Sequence, residues 1–107
     1  MAADERPSGQ LSPHDALRQG HWVKLICGAS NQDLPAITDL CAVYGAVGID
    51  CIDVAADPAV VRAARQGLDW LEQHGMARPW LMVSVSDGSD VHFRKAWFDP
   101  ARCPINC

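Results

Sequence analysis

No stretch of the sequence approaches the ~20 consecutive apolar residues that a membrane-spanning helix needs, and the first ten residues carry Asp4 and Glu5 where a secretory signal would be apolar. A cytoplasmic protein without a membrane span is therefore expected. Basic residues are also in deficit: 9 Lys and Arg stand against 13 Asp and Glu, a formal charge of −4. That balance offers no electrostatic footprint for phosphates, so nucleic acid is not an expected partner. Neither G-x-G-x-x-G nor G-x-x-x-x-G-K-[ST] occurs, which removes the glycines that a dinucleotide fingerprint or a P-loop requires. The four histidines, His14, His21, His74 and His92, have no regular metal-ligand spacing to one another or to a cysteine, so a zinc site is not expected. The five cysteines are an odd number in a chain without an export signal, which argues against a disulfide framework and for thiols or metal ligands.

What is present fits one small domain: 107 residues, of which 49% are hydrophobic. Residues 1–11 are polar and aperiodic and are expected to form a mobile tail. Ser12 and Pro13 then supply an N-cap and a first-turn proline for a short helix closed by Gly20. The run from Trp22 to Ile26 reads as a strand, with Lys24 reaching water. Asp33 or Asn31 caps a helix whose apolar positions are Leu34, Ile37, Leu40, Cys41 and Tyr44. Ile49–Val54 reads as a second strand, and Asp57-Pro58 opens a longer helix with Val60, Val61, Ala64, Leu68 and Leu71 on its apolar stripe. The apolar run Trp80–Val85 is a third strand of the kind found in parallel sheets covered on both faces.

The expected fold is thus α/β: a short leading helix, then β-α-β-α-β with a three-stranded parallel sheet, resembling an incomplete (β/α) barrel. This α/β domain is expected over residues 12–98, with a separate cysteine-containing loop over 99–107. Three parallel strands leave two unpaired edges, so self-association or cover by further polypeptide is expected.

In parallel α/β folds ligands gather at the carboxyl ends of strands. Those ends supply Cys27 and Asn31, then Asp53 and Asp57, then Asp87, as candidate pocket residues. Against this stands a plainer reading, in which Asn31, Asp33 and Asp57 are caps and Cys27, Cys41 and Cys51 are small buried hydrophobes. No nucleophile is paired with a base, because His21 lies at the opposite end of the strand that carries Cys27; no catalytic residue is assigned. In the C-terminal run, Cys103 and Cys107 are four apart beside Pro104. Closely spaced thiolates in a non-helical loop suit an iron–sulfur cluster, but a complete cluster usually takes four thiolates, and two surface thiols that oxidise or pair remain the alternative.

Taken together, Trp22–Pro35, Asp50–Pro58, Arg78–Ser84 and Phe98-Asp99-Pro100 leading to Cys103-Pro104 resemble the cyanobacterial light-dependent period (LdpA) family over roughly residues 21–107. The resemblance implies a βα region preceding a bacterial-ferredoxin-like cysteine module with a 4Fe-4S cluster. It implies a redox sensor that modulates the circadian clock period according to light, with clock or input-pathway proteins as partners. Of the family's cluster ligands, only Cys103 and Cys107 can be carried over. Similar proteins continue past the position of Cys107 with further cysteines, so a truncated member with an incomplete cluster is the expectation, the alternatives being a small-molecule-binding or enzymatic α/β barrel fragment that uses the strand-end loops, or an inactive remnant.

Overall fold

The computed structural model describes residues 10–85 and 100–102. Its elements are α1 (Pro13–Gln19), β1 (Lys24–Ile26), α2 (Leu34–Val47), β2 (Cys51–Ala55), α3 (Pro58–Gln73) and β3 (Trp80–Ser84), with a 3-10 turn at Pro100–Arg102. The strands form a parallel sheet in the order β1-β2-β3. The α/β class and the parallel sheet are as expected from the sequence.

Helix boundaries follow local chemistry. Ser12 Oγ accepts the Asp15 amide to start α1, and Gly20, at φ 76°, ends it in the left-handed conformation that glycine enters at little cost. Asp33 and Asp57 cap α2 and α3, each followed by a first-turn proline. The strands differ from the expected bounds by one to two residues, because pairing with β2 delimits them: Lys24, Cys51 and Trp80 stand in register at one end. Just before that end, Asp50 knits the three strands together. Its carboxylate accepts the Val23 amide at 2.9 Å, its own amide bonds the Val23 carbonyl, and its carbonyl accepts the Trp80 amide. A carboxylate that is 6% exposed is tolerated there because it is hydrogen-bonded.

The core lies between the sheet and both crossover helices. Ile37 and Cys41 of α2 and Val60, Ala63, Ala64, Leu68 and Leu71 of α3 close over Ile52 and Val54 of β2, with Leu25 and Leu81 packed at the margins. Of the expected stripe of α3, Val60, Ala64, Leu68 and Leu71 are buried, while Val61 is half-buried at the margin of the core. On α2, Ile37 and Cys41 are buried as expected, whereas Leu34 and Tyr44 are 38% and 41% exposed. Gly45 and Gly67 let the two helices approach closely: a Cβ on Gly67 would stand 2.4 Å from the Thr38 carbonyl oxygen.

β3 departs from the expectation of a strand covered on both faces. Trp80, Met82 and Val83 are exposed, while every residue of β2 is buried. The difference is positional, since β2 has a neighbour on each side and β3 pairs with one strand among the described residues.

Candidate functional site

The carboxyl end of β1 carries a cleft of about 610 Å³ lined by Cys27, Gly28, Ser30, Asn31, Gln32 and Asp33. Its shape comes from a compact turn after β1. Gly28, at φ 105°, reverses the chain, the Asn31 amide bonds the Gly28 carbonyl, and Asn31 Nδ2 donates to the Cys27 carbonyl at 3.0 Å. Asn31 Oδ1 in turn accepts the Asp33 amide at 3.0 Å, placing Asp33 to cap α2. Asn31 thus lines the cleft while its amide group is engaged in turn and cap geometry.

Asp57 is a cap in the same sense. One carboxylate oxygen accepts the Ala59 amide at 2.8 Å, and the other accepts Gln32 Nε2 at 3.1 Å. Gln32 therefore ties the loop after β1 to the loop after β2. Sequence reasoning did not single out Gln32, because a lone glutamine in a loop carries no periodic or motif signal.

Asp53 sits elsewhere. It lies within β2, two residues before the strand ends, and by strand alternation it faces away from Ile52 and Val54, which meet the helices. Its carboxylate accepts the Ser84 hydroxyl at 2.5 Å and pairs with Lys24 Nζ at 3.5 Å, and Lys24 also approaches Met82 Sδ at 3.7 Å. All three strands thus converge on one polar cluster, with Asp53 8% exposed at its centre. Lys24, read from the sequence only as a residue reaching water, is the ion-pair partner that makes the buried carboxylate tolerable.

The described thiols do not form a ligand set. Cys27 borders the cleft, Cys41 is buried in α2, and Cys51 is buried at the start of β2. Burial pushes the Cys27 thiol up, and the Asp53 carboxylate adds to the effect. Burial, with a smaller contribution from Cys27, raises Cys41 to about 12. Cys51 is raised by burial and by Asp53 and Asp50, against the opposing pull of Lys24. Thiols held protonated in this way are poor metal ligands and poor nucleophiles. Among the described residues no group of three or more His, Cys, Asp or Glu could hold a metal ion. Asp87, Cys103 and Cys107 lie outside the described residues. No helix among the described residues is long and apolar enough to cross a membrane.

Fold and loops define the class: a parallel α/β unit whose two crossover helices pack on one face of the sheet, with a polar cleft in the loop after β1. No family model and no solved structure matches the chain. Among curated proteins, it is 60% identical over 95 residues, 88% of its length, to "Light dependent period A" of Synechococcus elongatus. Over that stretch the chain is a homologue of the light-dependent period protein, in line with the resemblance read from the sequence. The match covers 27% of that relative, so the chain spans about a quarter of its length.

Proposed function

We propose that the chain is part of a regulatory protein, not an enzyme, that adjusts the period of the circadian clock in response to light by sensing redox state through an iron–sulfur cluster. The observation that carries this reading is the 60% identity over 95 residues to "Light dependent period A". In this reading Cys103 and Cys107 are two ligands of a 4Fe-4S cluster in a ferredoxin-like loop, and further thiolates come from polypeptide beyond this unit. The α/β unit presents the strand-end cleft or its helical faces to a ligand or to clock and input-pathway proteins. Two features favour a non-catalytic role: each described cysteine is held protonated, and the side chains of Asn31 and Asp57 are engaged, Asn31 in the turn after β1 and Asp57 as the cap of α3.

Anaerobic reconstitution tests the cluster assignment. Iron and acid-labile sulfide are assayed in the 107-residue chain and in the longer Synechococcus relative, each with and without Cys103→Ser and Cys107→Ser or their equivalents. Cluster in the longer protein that is lost in both variants is the expected result. Cluster retained in both variants, or absent from both proteins, overturns the assignment.

A second reading follows from the cleft itself: a small-molecule site lined by Cys27, Ser30 and Gln32. A ligand that binds only the native state raises the melting temperature. Phosphorylated metabolites and flavins that leave the melt unchanged would remove this reading.

A further inference from the structure

On the sheet face turned away from α2 and α3, a thioether stands inside a charge network. Leu25, Ile52 and Leu81 are in register and pack on the helix side, so the residues one step along each strand point to the other face. There Met82 lies opposite Asp53, and Lys24 reaches across from β1. Lys24 Nζ pairs with Asp53 Oδ2 at 3.5 Å and donates to Met82 Sδ at 3.7 Å, while Asp53 Oδ1 accepts the Ser84 hydroxyl. One ammonium thus joins a carboxylate of β2 to a sulfur of β3.

Two properties set Met82 apart. It is accessible, at 38% exposed, whereas Met76 is half-buried and packed against the core. Its hydrogen-bond donor is also mismatched to a thioether, which is a weak acceptor. An exposed methionine alone would carry no inference; here a charged donor is already aimed at the sulfur. That donor suits the oxidised form better, because oxidation converts the apolar thioether into a polar sulfoxide, and hydrogen bonds from an ionised donor are the strong ones. An oxygen on a sulfur 3.7 Å from the ammonium falls within hydrogen-bond reach of it. Because an ammonium has several protons to donate, Lys24 can hold that oxygen and Asp53 together.

We propose that Met82 is an oxidation site whose sulfoxide is captured by Lys24, with a peroxide as the oxidant. The sulfur lone pair attacks one peroxide oxygen and the O–O bond breaks. The departing hydroxide takes the proton from the oxygen now on sulfur and leaves as water, so the sulfur is oxidised and the peroxide reduced by the same electron pair. Lys24 Nζ then donates to the new oxygen while keeping Asp53, and the three strands stay joined after oxidation. The proposal is independent of any cluster or clock role.

Hydrogen peroxide treatment of the 107-residue chain tests it, with peptide mapping by mass spectrometry to locate the oxygen and thermal melting to detect capture. Met82 should be oxidised several-fold faster than Met76. Melting is compared before and after peroxide for the parent, Lys24→Arg, Lys24→Leu, and Lys24→Leu combined with Asp53→Asn, which removes the ammonium without leaving a buried charge unpaired. Met82→Leu in each background measures what peroxide does elsewhere, the cysteines included, and that shift is subtracted. The remaining drop in melting temperature should be larger by roughly 4 °C or more in the two Lys24→Leu proteins than in the parent and Lys24→Arg, the effect of one hydrogen bond in a domain of this size. Equal drops with and without the Lys24 ammonium overturn the proposal. So does oxidation of Met82 no faster than that of Met76.

Discussion

Gly67 of α3 and Thr38 of α2 meet so closely that a Cβ on the glycine would lie 2.4 Å from the Thr38 carbonyl oxygen and 2.9 Å from Cys41 Cβ. The same contact is bonded one turn earlier, where Thr38 Oγ1 donates to the Ala63 carbonyl at 2.9 Å. The two helices are thus held at close approach, with the Thr38 side chain bonded to the backbone of α3.

Gly67→Ala is expected to destabilise the chain despite the better helix propensity of alanine. Propensity favours alanine by about 1 kcal/mol. The added methyl meets backbone, which cannot move aside without separating the helices, and overpacking of this kind costs about 1–3 kcal/mol. Urea unfolding should show a lower midpoint; a raised one would mean that the helices do not approach as described.

Asp50 offers a second test, at the opposite end of the sheet from the cleft. Asp50→Ala leaves the Val23 amide without its acceptor, with an expected loss of about 1–3 kcal/mol. Asp50→Asn keeps an acceptor oxygen and should recover part of that loss. Equal stability for Asp50→Ala and the parent would show that the carboxylate does not hold the start of β1.

How much of this was legible in the sequence depends on whether a residue's role was local. The caps Ser12, Asp33 and Asp57, the first-turn prolines and the stripe of α3 could be read directly, because each is set by neighbours within a turn or two. The exposure of Leu34 and Tyr44 could not, because it depends on tertiary packing that helical periodicity does not set. Asp53 illustrates the limit at the site. Its place near the end of a strand was evident, but its partners Lys24 and Ser84 are 29 and 31 positions away along the chain, and register alone brings them together. Gly67 carries no local signal of its role, because Thr38, which stands against it, lies on another helix far away along the chain.

Asp57 separates capping from ligand binding. Asp57→Ala removes the acceptor for the Ala59 amide and the link to Gln32, and loss of such a cap costs about 1 kcal/mol. Asp57→Ser should restore most of the stability, since a hydroxyl also caps. If the residue instead held a ligand through its charge, Asp57→Ser would keep the melting temperature while abolishing any ligand-induced rise.

The buried thiols give a pH dependence whose sign can be worked out. A thiol raised in the folded state binds its proton more tightly than in the unfolded chain, so the unfolded state is the first to lose protons as pH rises. Stability from this source is fully present below the ordinary thiol value of 9.0 and is lost progressively as pH climbs toward about 12, the value for Cys41. Each such group contributes a slope of up to about 1.4 kcal/mol per pH unit within that window. Cys41→Ala should lower stability at pH 7, because it opens a cavity among Ile37, Leu68 and their neighbours, yet flatten the decline above pH 9.0. Urea midpoints measured from neutral pH upward, for the parent and Cys41→Ala, supply the comparison. Parallel curves for the two proteins would mean that Cys41 titrates alike folded and unfolded, contrary to its burial.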